Sequence, residues 1–393
     1  MKPKVAAILP SYNEGRSIGD VLQKIDRGLA VLFRPEDCII VNADGSSEDD
    51  TADVFLNTKT KCAKERLDVG RGPHRKGKGI VEALKYCQSN RTEFVFTVDS
   101  DVRTATEDWP RAILSPLIQG RCDYTVPCYS RNRYEGSTTN HFAYPLVKAI
   151  FGVDVRQPIG GEFGLTMELV DFLLSQTLTP SVLAYGIDIF MTCNAIAGGF
   201  TIEESFLGQK IHNPSFHKLE QTFVDVATAG MEIAKHYYGR PTLVKPFHRK
   251  RTHTASHDIS LFAHQNELPD FVGRMTKSYV QFMDSYDRLL GSHSLELRRQ
   301  IEIDSTKLSA DLWTGELACS MQQVFTPIVD FPRIPEIAHL LLPLFALRTT
   351  SFWKEIQSLD STEAEDRVTY QAEMFRQKML TTQHATSTPI SFP

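Results

Sequence analysis

Two carboxylates stand one residue apart where an apolar run ends, in FVFTVDSDVR at 94–103. Alternate side chains of an extended strand share a face, so Asp99 and Asp101 point the same way and Ser100 the other. Like charges so placed repel unless a cation lies near them. A hard divalent ion that keeps several waters and leans on phosphates, Mg2+ or Mn2+, would satisfy both. The alternative is a helix cap, since Asp101 precedes Thr and Glu residues.

Four further stretches hold residues of chemical interest. RKGKG at 75–79 offers glycines that let a backbone approach a phosphate and Lys78 as its counter-charge, or else a plain basic surface turn. It lacks the glycine spacing and the Lys-Ser/Thr ending of a Walker loop. His212, in GQKIHNP, is either a ligand or a structural histidine. QPIGGEFG at 157–164 places Gly160, Gly161 and Glu162 in a loop that admits a sugar, or in a tight turn into a helix at 166–174. YGID at 185–188 puts Asp188 at a helix start, where it either caps or does chemistry.

These residues sit on an alternating pattern. KVAAILPS at 4–11, DCIIVNAD at 37–44 and EFVFTVDSD at 93–101 read as strands, with helical spacing between them (Ile18, Val21, Leu22, Ile25 and Leu29; then 79–88). Strand and helix in alternation predict an α/β, doubly wound, mainly parallel sheet, in which ligands collect at the carboxyl ends of the strands. After about residue 215 the pattern becomes long helices, at 216–238, 257–291, 305–325, 334–357 and 361–380. The expected organisation is a catalytic domain over 1–215 and a helical C-terminal region over 216–393.

A formal net charge of −5 argues against a general nucleic-acid binder. No apolar run reaches the roughly 18 residues of a membrane span, and no signal-peptide core follows Met1; the expected location is the cytoplasm, without a membrane partner. Seven cysteines without CxxC or zinc spacing argue against structural disulfides and zinc. Apolar faces such as IAHLLLPLFAL at 337–347 must be covered, by the catalytic domain or by a second copy in a homodimer.

Taken in order, LPSYNEG, ADGSSEDDT, GKG, VDSD, QPIGGEFG, YGIDIF and GQKIHN resemble the nucleotide-sugar glycosyltransferases of the GT-A fold. More narrowly they are similar to the retaining group of mannosylglycerate, glucosylglycerate and glucosyl-3-phosphoglycerate synthases. The resemblance covers residues 4 to about 215; LSADLWTGELA and LFALRTTSFW carry it less specifically into the helical part. It implies that Pro10, Tyr12 and Glu14 floor the nucleoside, that Asp44 reaches the base, and that Lys78 meets the base or diphosphate. It also implies that Asp101 and His212 hold Mg2+ or Mn2+, that Asp99 binds ribose or a metal-bound water, and that Glu162 and Asp188 face the donor sugar and acceptor.

The implied partners are a nucleoside-diphosphate sugar and an acidic acceptor, glycerate or 3-phosphoglycerate. In CYSRNRYEGSTTNH at 128–141, Arg131 and Arg133 can grip a carboxylate in parallel hydrogen bonds, with Thr138 and Thr139 completing it. The stretch is similar to the glycerate-binding segment of mannosylglycerate synthase. It lacks the longer, glycine-rich form with a further arginine of the phosphoglycerate enzymes, which favours D-glycerate. The competing readings are a GT-A transferase with a lipid or polysaccharide acceptor, a nucleotidyltransferase, which would carry a glycine-rich loop where this chain has SYNEGRS, and a non-enzymatic helical scaffold.

Overall fold

A strand flanked on both sides and covered on both faces must be apolar throughout, and β1 (Val5–Ser11) and β2 (Cys38–Asp44) are buried along their whole length. The computed structural model describes residues 3–385 other than 71–75, 212–217, 241, 248–267, 291–292, 305–306 and 326–332. β1 and β2 join β3 (Ala63–Asp68), β4 (Phe94–Thr97), β5 (Tyr124–Ser130), β6 (Gly164–Thr166) and β7 (Ile202–Gln209) in one sheet of order β3-β2-β1-β4-β6-β5-β7. Only β6 runs antiparallel to its neighbours. The edge strand β3, AKERLD, is charged and partly exposed, as an unpaired edge should be.

The register aligns Ser11 with Asp44 and Ile8 with Thr97, so the segments after β1, β2 and β4 emerge side by side. The chain moves from β1 outward to β2 and β3, then returns to the other side of β1 for β4. The crevice between β1 and β4 is therefore the topological switch point, where open α/β sheets bind ligands. Helices α1 (Ile18–Leu32) and α4 (Trp109–Ile118) cover one face. The apolar positions that predicted α1, Ile18, Val21, Leu22, Ile25 and Leu29, form one core with Val5, Ala7, Leu9, Ile40, Phe96, Ile113 and Leu114. Between them lies α2 (Thr51–Asn57) in chain order. α3 (Lys76–Ser89), α6 (Met167–Leu174) and α7 (Ile187–Ala197) pack against one another away from that core. The expected doubly wound, mainly parallel sheet is the one observed.

The described residues divide into two compact units. The first lies within 1–130, 155–213 and 242–252; the second within 131–154, 214–241 and 253–393. One crossing between the units falls near 213, and residues 131–154 group with the helices. The reason is apolar: a π-helical turn at Thr139–Ala143 and α5 (Tyr144–Phe151) bury nearly every side chain. Phe142 meets Phe223 of α8 (Leu219–Tyr237), and Tyr144 shares a cluster with Phe352, Val368 and Ala372. The other helices of this unit are α9 (Leu268–Gln281), α10 (Met283–Leu290), α11 (His293–Ile303), α12 (Ala310–Phe325), α13 (Ile334–Glu355) and α14 (Ser361–Ala385). Of the helix expected over 257–291, residues 257–267 lie outside the described residues, and the rest is two helices.

On α12, Glu316 is 1% exposed and neither carboxylate oxygen has a hydrogen-bond partner among the described residues. Burial pushes its carboxyl up to about 8, with Lys378 opposing and Glu296 adding to the rise. Because the folded chain holds this proton more tightly than the unfolded one, the stability it contributes is present below the ordinary value of 4.5 and is lost as pH climbs toward 8. Glu316→Gln, which removes the ionisation and keeps the shape, is expected to stabilise the chain at about pH 9 by a few kcal/mol, and to change little near about pH 4. Urea unfolding at the two pH values measures the difference; equal gains at both would refute the assignment.

Candidate active site

Three ties bring distant segments to the end of β4. The Thr97 amide donates to the Phe163 carbonyl, the Phe163 amide donates back to Thr97 Oγ1 at 3.0 Å, and that hydroxyl donates to the Gly161 carbonyl at 2.7 Å. The Asp99 amide then reaches Glu162 Oε1 at 3.2 Å. The Arg103 amide donates to the Ile211 carbonyl and the Ile211 amide to Thr104 Oγ1, which draws the residues after β7 over the Asp99 turn. Finally, the amides of Gly77 and Lys78 donate to the carbonyls of Ala184 and Leu183, docking the start of α3 beside the start of α7. β4 ends at Thr97, so Asp99, Ser100 and Asp101 lie in the turn beyond it and not in the extended strand expected; Ser100 is buried and donates to the Pro10 carbonyl at 2.7 Å, closing the crevice floor.

The result is a cluster of three carboxylates and two ammonium groups. Lys210 Nζ lies 3.0 Å from Asp99 Oδ2, 3.0 and 2.7 Å from the two oxygens of Glu162, and 2.8 Å from the Gly160 carbonyl. Lys76 Nζ lies 2.9 Å from Asp99 Oδ1 and 3.3 Å from Asp188 Oδ2. The Tyr129 hydroxyl also donates to Glu162 Oε2. Glu162 thus has both oxygens engaged, whereas Asp188, only 6% exposed, has Oδ1 without a partner among the described residues.

Charge follows geometry. Burial alone would raise Asp99, but Lys210 and Lys76 together hold it well below the usual carboxylate range. Burial pushes Glu162 up to about 6, against Lys210 and with Asp99. Burial also raises Asp188, with Lys76 opposing. Lys76, which burial would lower, is raised by Asp188, Asp99 and Glu162 and stays charged.

The sequence-derived residues are placed as follows. Pro10 lies within β1 and is buried; Tyr12 and Glu14 follow it, and the Glu14 amide donates to Thr51 Oγ1. Glu14 lines an open cavity of about 590 Å³ together with Asn13, Arg16, Ser17, Asp49 and Arg103. Asp44 is fully buried, its carboxylate taken by Ser47 and by Arg66, 2.6 Å from Arg66 Nη2. Lys78 lies near Asp68, whose carboxyl it helps to lower after Ser46 and Gly70 have done most. The lysine at the carboxylates is Lys76, because successive side chains of a helix start diverge by about 100°.

Packing leaves no room for a side chain at Gly160 or Gly161. A Cβ on Gly160 would lie 2.1 Å from Pro127 Cγ; one on Gly161, at φ 93°, would lie 2.3 Å from Asp99 Oδ2 and 3.1 Å from Lys210 Nζ. Gly161→Ala is therefore expected to lose about 1–3 kcal/mol of stability and to displace Asp99 and Lys210. Guanidinium unfolding tests it, and an unchanged midpoint would count against the packing described.

Arg131, Arg133, Thr138 and Thr139 belong to the second unit. Arg133 donates to the Leu359 carbonyl and lies over the Tyr134 ring, and both threonines are buried. His212 lies outside the described residues. Asp101, in the turn after Asp99, makes no hydrogen bond or ion pair among the described residues and is half-buried. That leaves a hard oxygen donor available, which suits Mg2+ or Mn2+. No group of three His, Cys, Asp or Glu residues able to hold a metal forms among the described residues. Lys76 and Lys210 went unread in the sequence. Their signal was weak: a lysine two positions before Lys78, and another just after an edge strand.

The model of glycosyl transferase family 2 matches residues 6–160, which span β1 through β5, Asp99, Asp101 and Gly160. Residues 6–160 form a glycosyl transferase family 2 domain. The match stops two residues short of Glu162, so the cluster joins the family 2 domain to Glu162, Asp188 and Lys210 beyond it.

The expected GT-A sheet agrees with this match, and the chain is a glycosyltransferase. No curated protein matches. Among solved structures, glucosyl-3-phosphoglycerate synthase from Mycobacterium tuberculosis with Mn2+, UDP-glucose and phosphoglyceric acid is 20% identical. Its TM-score is 0.48, over 59% of this chain and 80% of that one. The same synthase with Mn2+, UDP and phosphoglyceric acid is 22% identical, also at 0.48, over 59% and 78%. A further mycobacterial protein is 22% identical at 0.47, over 59% and 75%. Among the described residues, no helix of the family 2 domain or of the helical unit is long and apolar enough to cross a membrane.

Proposed function

We propose that this chain moves a hexose, glucose or mannose, from a nucleoside-diphosphate sugar to D-glycerate in the cytoplasm, with retention of anomeric configuration and a requirement for Mg2+ or Mn2+. The observation that carries the reading is the contrast within one strand end. Asp99 is clamped by two lysines while Asp101, in the turn beyond β4, makes no hydrogen bond or ion pair among the described residues. A divalent cation held by Asp101, with His212, would supply electrostatic stabilisation of the charge that develops on the departing diphosphate.

The chain's own residues account for the rest. Pro10, Tyr12 and Glu14 border the crevice at which the nucleoside would rest. Glu162, with both oxygens engaged, fixes Lys210 rather than attacking the sugar. Asp188 Oδ1 is buried without a hydrogen-bond partner among the described residues, and it would face the anomeric centre, stabilising positive charge as the bond to the phosphate lengthens. The acceptor hydroxyl would then attack from the same face and pass its proton to the leaving phosphate oxygen. Arg131, with Thr138 and Thr139, is assigned to the acceptor's carboxylate. Arg133, held by the Leu359 carbonyl, would support that segment. The larger acceptor 3-phosphoglycerate is the alternative.

The raised Asp188, its Oδ1 unpartnered among the described residues, favours one second reading, in which Asp188 takes the acceptor proton as a general base and the configuration inverts. The functional assignment is tested by incubating the chain with UDP- and GDP-linked glucose and mannose, Mg2+ or Mn2+, and glycerate or 3-phosphoglycerate. Acceptor-dependent release of nucleoside diphosphate is expected with one combination. Release with none of them would overturn the assignment.

A further inference from the structure

The sheet face beneath α1 and α4 holds two thiols for which the proposed transfer has no use. Cys38 opens β2 and Cys62 stands immediately before β3, each one residue ahead of the first register pair of the two strands, Ile39 with Ala63. They therefore face each other across neighbouring parallel strands, and both belong to the apolar core that includes Ile25, Ile40 and Phe55. Both are free thiols, 1% and 4% exposed. Neighbouring strands lie about 4.8 Å apart, inside the roughly 4.4–6.8 Å between α-carbons that a disulfide spans.

Both backbones are fixed from outside the pair. The Cys38 amide donates to the Pro35 carbonyl, and Cys38 pairs with Val5 of β1. The Cys62 amide donates to Asp26 Oδ1 at 2.8 Å, and the Cys62 carbonyl accepts from Thr60 Oγ1 at 2.9 Å. The Cys38 thiol donates to the Arg34 carbonyl at 3.5 Å. The Cys62 thiol is pushed well above its ordinary value by its hydrogen bond with Cys38, by burial and by a hydrogen bond to Asp26. Cys62 thus keeps its proton, and Cys38 is the sulfur placed to attack.

We propose that Cys38 and Cys62 are a reversible disulfide site, closed by a small peroxide, that locks the edge strand β3 to β2. The Cys38 sulfur attacks one peroxide oxygen, the O–O bond breaks, and the second oxygen leaves as water with the thiol proton, which makes Cys38 a sulfenic acid. The Cys62 sulfur then forms the S–S bond as the S–O bond breaks, and its proton leaves with the hydroxide as a second water. In sum the two sulfurs give up two electrons and the peroxide is reduced to two waters. Burial slows the reaction, because the oxidant enters only when the edge strand opens, but it does not change which thiols meet. The bond closes the loop of residues 38–62 and lies at the opposite end of the strands from Asp44 and Asp68, so it constrains the unfolded chain without reaching the carboxylate cluster.

The full chain, reduced and then freed of reductant, is treated with hydrogen peroxide in native buffer, its remaining thiols are alkylated, and its peptides are mapped by mass spectrometry. A cross-linked Cys38–Cys62 peptide is expected, lighter by about 2 Da than the two reduced peptides together, and dithiothreitol should reverse it. The oxidised chain should melt about 5 °C above the reduced one, and Cys38→Ser or Cys62→Ser should abolish that rise. Absence of the link by the time methionine in the same chain has become sulfoxide overturns the proposal. So does sulfinic acid on Cys38 in place of the link, or a bond from either thiol to another cysteine. A link that leaves the melting temperature unchanged overturns the lock on β3 and the proposal with it. Should the serine variants fail to fold, the peptide map and melts of the natural chain decide alone.

Discussion

Asp101→Ala is expected to lower metal-dependent transfer by about a thousandfold while leaving the chain as stable as before, within about 0.5 kcal/mol. The two halves of this expectation come from one observation. Asp101 makes no hydrogen bond or ion pair among the described residues, so the fold loses nothing with it. Its neighbour Asp99 behaves in the opposite way. Removing Asp99 would take away the carboxylate that Lys76 and Lys210 share, leaving Lys76 with Asp188 alone and Lys210 with Glu162 alone, and breaking buried pairs in this way costs about 3–5 kcal/mol. Initial rates across a Mn2+ titration, with thermal melts alongside, separate the two. Transfer at the natural rate in Asp101→Ala would remove the metal assignment.

Asp188→Asn is expected to reduce kcat by about 100- to 1000-fold with little change in KM. The side chain is buried at the first turn of α7, with Oδ2 on Lys76 and Oδ1 unpartnered among the described residues. An amide of the same shape keeps the packing and loses the charge that matters in the transition state. The pH dependence carries the sign. Burial raises the Asp188 carboxyl above its ordinary value, so the ionised form is lost on acidification earlier than for an exposed aspartate. The acid limb of kcat is therefore expected above the ordinary carboxylate range, and Asp188→Asn should abolish that limb.

Glu162→Gln is the contrasting variant. Both Glu162 oxygens are engaged, so its main effect should appear in stability, through a Lys210 left with Asp99 as its one paired carboxylate among the described residues. Steady-state kinetics over pH for the two variants provide the check. An unaltered acid limb in Asp188→Asn would show that another group sets it.

Much of the first unit could be read from the chain. Buried parallel strands write themselves as unbroken apolar runs, and β1, β2 and β4 end where VAAILPS, CIIVNAD and FVFT give way to polar turns. The five apolar positions of α1 all proved buried for the same reason. The meeting of Asp99 with Lys210, 111 residues away, could not be read, because backbone ties such as Arg103 to Ile211 create it and carry no side-chain signature. Nor could the sequence tell Lys76 from Lys78. Both precede the same helix, and only the docking of Gly77 on Ala184 decides which one faces Asp188.

The grouping of residues 131–154 with the helices is not legible in the sequence, because the apolar run from Phe142 to Phe151 fits an α/β crossover as well as a helical bundle, and the partners Phe223, Phe352 and Val368 lie far along the chain. Nor does spacing show that Pro127 and Asp99 leave no room for side chains at Gly160 and Gly161.

In the proposed reaction a family 2 domain transfers a hexose to a small acidic alcohol with its configuration kept, using a clamped Asp99 and, unpaired among the described residues, Asp101 and Asp188 Oδ1. Proton NMR of the product formed from an α-linked nucleoside-diphosphate glucose, D-glycerate and Mg2+ tests this most directly. The account predicts an α-glucoside of glycerate, recognised by the small coupling of its anomeric proton; a β-glucoside, or no glycerate product with either sugar donor, would contradict it.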